Sequence, residues 1–186
     1  MVLHRSLGHR EYTRDVDYVH RAFAADYAST GSQQEAEARL RRCIAGTAAA
    51  RGLGVDWMNA APDVALPMAR DDYGRTHDPV YTSFLADAGK EDYTVFSAPG
   101  LQLIAVNWAW AIAFKLVRYE KNDSRDVQAM IRMLSHTRGG RWDASFLEQW
   151  ITTTCWPMGY SSYAPPQKEQ LRRRIDHAVR LAYSSI

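Results

Sequence analysis

The sequence predicts an α+β fold, in which a small mixed β-sheet is flanked by helices and the carboxy-terminal half is helical. Short segments with strand character occur in the first half of the chain, at residues 13–18, 55–58 and 93–96. The second half carries apolar residues at helical spacing. Because neither an internal repeat nor a linker is visible, we expect one domain over residues 1–186, with a core over 1–135 and a helical extension over 136–186.

The composition is that of an ordinary globular protein. Hydrophobic residues make up 46% and charged residues 24% of the 186 residues, which argues against a disordered or fibrous chain. The formal net charge is only +2, so bulk electrostatics does not indicate a nucleic-acid partner or an anionic membrane.

Three further features bear on where the protein works. The first residues lack the apolar segment of a secretory signal. The most apolar stretch, residues 101–117, is interrupted by Gln102, Asn107 and Lys115, which favours a core helix over a membrane span. Cys43 and Cys155 lie far apart without ligand spacing, which favours reduced thiols. We therefore expect a cytoplasmic protein without a membrane partner.

The amino-terminal elements follow from alternation and composition. Alternation over residues 13–18 places Asp15 and Asp17 on one face of a strand and Val16 and Tyr18 on the other. Residues 33–51 are rich in Ala, Glu, Arg and Leu, which predicts a helix that ends at the glycines after it. A second strand is predicted over 55–58.

The middle of the chain is less regular. Residues 60–92 contain three prolines and several aspartates, which predicts a loop with one short helix near 83–88. A third strand is predicted over 93–96. The Ser-Ala-Pro sequence at 97–99 resembles a capped helix start, so a helix is predicted from Pro99 to Tyr119.

The remaining predicted elements are helices. A new helix begins after Asn122, with Asp123 or Ser124 as its cap, and a glycine pair at 139–140 ends it. A further helix is predicted over 144–150. The proline pair at 165–166 opens the last helix, whose apolar stripe consists of Leu171, Ile175, Ala178, Val179 and Ala182.

Asp15 and Asp17 are the strongest candidates for chemistry. Two carboxylates at i and i+2 of a strand project from the same face, with Cα atoms about 6–7 Å apart. Such a pair suits a hard divalent cation, Mg²⁺ or Mn²⁺, which in phosphoryl or nucleotidyl transfer neutralises phosphate oxygens and aligns a hydroxyl. The alternative is a strand face with solvated acids.

Four segments in order carry a family resemblance. The first is Arg10-x-x-Thr13-x-Asp15-Val16-Asp17; the others are Val-Asp-Trp-Met-Asn at 55–59, the stretch from Ser97 to Leu116 that ends near Lys115, and Lys-Asn-Asp-Ser-Arg-Asp-Val at 121–127. Together they resemble the minimal nucleotidyltransferase-like proteins of the polymerase-beta-type superfamily, which include AbiEii-like members of toxin–antitoxin systems. The resemblance covers about residues 1–135.

The resemblance implies a metal-dependent transfer of NMP from a nucleoside triphosphate to a hydroxyl acceptor that the sequence does not identify. It implies that Asp15 and Asp17 bind Mg²⁺ and act in catalysis. It also implies that Lys115, Thr13 and Arg10 contact the nucleotide, and that Asp123 and Asp126 order a helix junction. Asp56 and Asp92 are the candidates for a third carboxylate, and Asp56 is assigned to the metal.

Several readings remain open beside this one. The family's glycine turn before the Asp-x-Asp strand would fall at or before Met1, which leaves open whether the protein is an enzyme or an inactive nucleotidyltransferase-fold binding protein. Lys115 could instead pair with an aspartate, and Asp123 could cap a helix. His4, His9 and His20 bracket the acidic pair and suggest a mixed His/Asp metal site. The aromatic carboxy-terminal half either packs between helices or lines a small-molecule pocket.

Overall fold

The computed structural model describes residues 15–28, 30–64, 66–87, 93–120 and 122–184. The predicted α+β class and the helical carboxy-terminal half are confirmed. The described residues divide into two compact units, 15–81 and 82–184. The single-domain organisation with a core over 1–135 stays a prediction.

The first unit contains short strands and two complete helices. Its elements are β1 (Val16–Asp17), α1 (His20–Ala28), α2 (Gln33–Arg51), β2 (Met58–Asn59), a 3-10 turn (Ala61–Val64), β3 (Ala69–Arg70) and β4 (Thr76–His77). β1 pairs in parallel with β2, so that Val16 lies opposite Met58 and Asp17 opposite Asn59. β3 and β4 form an antiparallel hairpin. α1 and the β3–β4 hairpin are not predicted by the sequence patterns above.

Helix α2 has the predicted bounds, but the strand after it begins later than predicted. α2 ends at Gly52, whose φ of +63° is the left-handed conformation in which glycine is favoured. Val55 and Asp56 lie in a turn, and β2 begins only at Met58. The predicted strand over 55–58 is therefore wrong in its first residues. Val55 is 90% exposed, so no burial holds it in a sheet.

Helix α3 (Pro79–Asp87) begins earlier than the predicted 83–88 because of Asp78. The Asp78 carboxylate accepts hydrogen bonds from the backbone N–H groups of Val80 and Tyr81, at 2.9 and 3.1 Å, as an N-cap residue does. Pro79 occupies the first helical position, where its missing N–H costs little. Arg21 on α1 pairs with the same carboxylate. The Asp78-Pro79 sequence is the feature from which this helix start could have been predicted.

The second unit is mostly helical. After α3 come β5 (Thr94–Ala98), β6 (Leu101–Ile104), α4 (Trp108–Arg118), α5 (Asp123–Thr137), α6 (Ala144–Thr154) and α7 (Pro165–Tyr183), with 3-10 turns at Trp156–Met158 and Tyr160–Ser162. α5 packs against α4 and α7, and α6 packs against both of these helices. The fully buried side chains of this core include Trp110, Ile112, Leu116, Met130, Ile131, Leu147, Ile151 and Ile175.

The predicted helix from Pro99 to Tyr119 is wrong over its first nine residues, 99–107. β5 and β6 form an antiparallel hairpin in which Ala98 lies opposite Leu101, and Pro99 and Gly100 are the turn between them. Gly100 has φ +82°, and a Pro-Gly pair at the centre of a turn suits type II geometry. The helix begins only at Trp108, where the Asn107 side chain accepts a hydrogen bond from the Trp110 backbone N–H.

The later helices agree closely with the sequence. α5 begins at Asp123, although its N-cap position is Asn122 rather than Asp123 or Ser124. Asp143 caps α6 by accepting a hydrogen bond from the Phe146 N–H. On α7, the stripe residues Leu171, Ile175, Ala178 and Ala182 are buried. None of the described helices combines the length and the apolar character needed to cross a membrane.

Arg174 on α7 caps the carboxy-terminal end of α4. Its guanidinium donates a hydrogen bond to the backbone carbonyl of Leu116 at 2.7 Å and a second one to that of Val117. The last carbonyls of a helix have no partner within the helix, and a cation near them also interacts favourably with the helix dipole. Arg174 therefore ties α7 to α4 through polar contacts as well as apolar packing.

We expect Arg174→Ala to lower the free energy of unfolding by about 2 kcal/mol, because charged hydrogen bonds to two helix-end carbonyls are lost. Urea denaturation followed by circular dichroism measures this change. The control is Arg173→Ala, since the Arg173 side chain is 76% exposed and, within the described part of the chain, pairs only with Glu169 on the same helix. That control should change stability by less than about 0.5 kcal/mol; equal effects of the two variants would contradict the capping role.

Candidate functional site

Asp15 and Asp17 lie at the start of β1, on its exposed side. Asp15 and Asp17 are exposed, whereas Val16 and Tyr18 are partly buried, as the predicted alternation requires. The backbone N–H groups of Val16 and Tyr18 donate to the carbonyls of Trp57 and Asn59, at 2.7 and 2.9 Å. These bonds fix the backbone that carries both acids, while no hydrogen bond or ion pair to a described residue engages the Asp17 carboxylate.

The donor set of this pair fits a hard divalent cation. Two carboxylates supply oxygen ligands, and Mg²⁺ in particular is commonly held by one or two carboxylates together with waters and substrate phosphates. Among the described residues, no group of three or more His, Cys, Asp or Glu side chains is close enough to hold a metal. Metal binding by Asp15 and Asp17 stays a prediction.

Asp56, the third acid assigned to this site, is not brought together with the pair among the described residues. Asp56 is exposed in the turn before β2, and the register sets Asn59, three residues later, opposite Asp17. Asp56 therefore does not complete a group of three acids with Asp15 and Asp17. Arg10, Thr13 and Asp92 lie outside the described residues.

A polar chain leads from β1 into the two helices after it. The Tyr18 hydroxyl lies 3.3 Å from His20 Nδ1, and His20 Nε2 lies 3.6 Å from a carboxylate oxygen of Glu37 on α2. Gln33 donates a hydrogen bond to the same Glu37 oxygen at 2.8 Å. Burial and the nearby carboxylate of Asp63 raise the pKa of Tyr18. These polar contacts hold Tyr18, the residue that follows Asp17 in sequence.

Both ring nitrogens of His20 face side chains of this polar chain. His20 therefore does not join Asp17 in a mixed His/Asp metal site among the described residues, and His4 and His9 lie outside them. The sequence contained no spacing that would have paired His20 with Glu37, because the two residues lie on different helices.

Lys115 lies in the second unit and is bound by two buried acids. Its Nζ atom is 3.2 Å from Asp123 Oδ1 and 2.6 Å from Asp126 Oδ2. The side chains of Asp123 and Asp126 are 3% and 0% exposed, while that of Lys115 is 18% exposed. The ion pair, one of the two readings left open by the sequence, is present, and contact between Lys115 and a nucleotide phosphate stays a prediction.

Asp123 also receives hydrogen bonds from the chain between α4 and α5. Arg118 donates to both of its carboxylate oxygens at 2.9 Å, and the Glu120 backbone N–H donates to Oδ2 at 2.9 Å. Burial alone would raise the pKa of Asp123, but the hydrogen bonds from Arg118 and Glu120 and the charge of Lys115 lower it to about 2. The carboxylate is thus charged in the folded protein and joins the end of α4 to the start of α5.

The aromatic residues of the carboxy-terminal half differ in their surroundings. Trp110 and Trp142 are buried, and the rings of Trp142 and Trp150 meet edge to face with centroids 4.9 Å apart. Trp156, in contrast, is 56% exposed. Helix packing accounts for the buried tryptophans, and a small-molecule pocket near Trp156 stays a prediction.

We expect Asp123→Asn to lower the free energy of unfolding at pH 7 by about 2 kcal/mol, which is the energy equivalent of the pKa shift. Because the folded pKa lies below the unfolded value of 3.8, this stability is present above pH 3.8 and is lost as the pH falls toward 2. Denaturant titrations of both proteins at several pH values test this.

The difference in free energy of unfolding between wild type and Asp123→Asn should decrease as the pH falls from 3.8 toward 2. Asp176→Asn is the control, because Asp176 is exposed on α7. A difference that stays constant down to pH 2 would show that the Asp123 charge is not its source.

Comparison with protein-family models, with curated proteins and with solved structures found no match for this chain. No relative therefore contributes a substrate, a partner or a site residue. The functional assignment depends on the residues and the geometry described above.

Proposed function

We propose that this protein is a metal-dependent nucleotidyltransferase-like protein that moves NMP from a nucleoside triphosphate to a hydroxyl acceptor. The observation that carries the proposal is the exposed pair Asp15 and Asp17 on a strand that is fixed by parallel pairing with β2. β1 and β2 are also the first two of the four segments that resemble the nucleotidyltransferase-like proteins. An exposed acid pair on an ordered backbone is suited to receive a metal–nucleotide complex.

The proposed roles of the residues follow from their chemistry. Asp15 and Asp17 would hold Mg²⁺ or Mn²⁺, and the cation would supply neutralisation of phosphate charge and alignment of the acceptor. In the transfer, the acceptor hydroxyl would release its proton to water and its oxygen would bond to the α-phosphorus, while the bond from that phosphorus to the α–β bridging oxygen breaks and pyrophosphate leaves. Lys115, with an 18% exposed side chain, is the proposed phosphate contact within the second unit.

A second candidate, an inactive binding protein with this fold, is favoured by one specific observation. The Lys115 ammonium already has two carboxylate partners at 3.2 and 2.6 Å, so that part of its charge is compensated without a ligand. Among the described residues no third acid joins Asp15 and Asp17. Both observations fit a protein that binds a nucleotide or another protein without catalysing transfer.

We expect isothermal titration of the protein with Mg²⁺ and ATP to give a saturable binding signal. Asp15→Asn and Asp17→Asn should each weaken this binding about tenfold or more, because a carboxylate ligand becomes a neutral amide. The matched control is Asp72→Asn, since Asp72 is an exposed aspartate in the β3–β4 turn and should bind like wild type. If neither wild type nor Asp15→Asn gives binding heat, the proposed metal–nucleotide site is refuted.

Transfer itself is tested by mass spectrometry. Incubation with a nucleoside triphosphate, Mg²⁺ and a cell lysate of candidate acceptors should give products heavier by one NMP, and Asp17→Ala should abolish them. The thermal unfolding of Asp17→Ala should match that of wild type, because the side chain is exposed. Nucleotide binding without any such product would select the inactive binding protein over the enzyme.

A further inference from the structure

The outer edge of the β5–β6 hairpin has no strand partner among the described residues, and the hairpin carries no charged residue. Among the described residues its sheet has only two strands, and no other strand pairs with the outer edge of β6. No charged residue occurs anywhere from Tyr93 through Phe114. Native proteins usually protect an exposed edge with lysine, proline or a covering element, and a two-stranded hairpin alone is marginally stable in water.

The backbone of Gln102 supplies the free hydrogen-bonding groups of this edge. The tight turn makes Ala98 and Leu101 the hydrogen-bonded pair that closes the hairpin. Hydrogen-bonded and non-hydrogen-bonded pairs alternate along an antiparallel ladder, so the next pair, Ser97 and Gln102, is of the second kind. The N–H and C=O of Gln102 therefore point away from β5, toward whatever lies beside β6.

One face of the hairpin is apolar and partly uncovered. The register sets Phe96 beside Leu103 and Ala98 beside Leu101, which places all four side chains on the same face. Phe96 is 43% and Leu101 44% exposed. A partner that adds a strand to β6 would extend this apolar face as well as satisfy the edge.

The sequence of β6 is complementary to itself. In an antiparallel pairing of two copies centred on Gln102, Leu101 of each copy lies opposite Leu103 of the other, and the two Gln102 residues lie opposite each other. The Gln102 pair would exchange both backbone hydrogen bonds, and the leucine pairs would be the close, non-hydrogen-bonded kind. No charge on either strand opposes this pairing.

We propose that the outer edge of β6 is a homodimer interface, in which β6 pairs antiparallel with β6 of a second copy about Gln102 to form a four-stranded sheet. The occupant is a second copy because the leucine–glutamine–leucine pattern matches itself about a two-fold axis, the commonest symmetry of soluble oligomers. The interface is independent of the proposed metal site at Asp15 and Asp17.

Sedimentation velocity and light scattering test the oligomeric state. Wild type should form a concentration-dependent species of twice the 21.1 kDa monomer mass. Gln102→Pro removes the outward N–H and should give monomer, whereas Gln102→Thr retains that N–H and should stay dimeric. Leu101→Lys should also give monomer, while Val117→Lys, at a site with a similar 46% exposure on α4, should not. A wild type that stays monomeric at every concentration overturns the interface.

Cross-linking locates the contact independently of stability. With Cys43, which is exposed, replaced by Ser, Gln102→Cys should give a disulfide-linked dimer on mild oxidation. Opposed residues in a hydrogen-bonded pair have Cα atoms about 5.5 Å apart, within the range that a disulfide spans. Ser97→Cys, on the other strand of the hairpin, should stay monomeric. Equal cross-linking at both positions, or a dimer that persists in Gln102→Pro, would place the interface elsewhere and refute the β6 pairing.

Discussion

The helical unit depends on a single lysine ammonium held between two buried carboxylates. Lys115 on α4 binds Asp123 and Asp126 on α5, and Arg118 completes the hydrogen bonding of Asp123. Burying charges is costly unless each is paired and hydrogen-bonded, and removing one member leaves an uncompensated charge in the core. The network therefore fixes how the end of α4 meets the start of α5, and the remaining helices pack against this pair.

The carboxylates of the protein are thus used in two different ways. Asp123 and Asp126 are buried and paired with cations of the same chain, so their charge contributes to structure. Asp15 and Asp17 are exposed at the start of an ordered strand, and the Asp17 carboxylate has no partner among the described residues. Exposed carboxylates on an ordered strand are accessible to an external cation, which is why the proposed function is assigned to β1.

The uncharged residues likewise lie in two environments, one buried and one exposed. The uncharged stretch from Tyr93 to Phe114 ends in α4, where Trp110, Ile112 and Ala113 are buried. The β5–β6 hairpin lies in the same stretch and leaves Phe96 and Leu101 exposed. An uncharged strand edge lowers the barrier to pairing with another strand, because neither repulsion nor desolvation of charge opposes it. The proposed dimer would remove that exposed edge.

The sequence by itself determined the elements whose signals are local. Helix-forming composition and the glycines after it predicted the bounds of α2, the proline pair predicted the start of α7, and alternation predicted the exposed face of Asp15 and Asp17, because these signals depend on neighbours within a few residues. The strand predicted over 93–96 overlaps β5, but only the tertiary structure decided that residues 99–104 complete a hairpin rather than begin a helix, since strand pairing brings Phe96 to Leu103 across a turn. It also decided which acids meet Lys115 and that His20 meets Glu37, because such contacts join different helices and leave no periodic trace in one sequence.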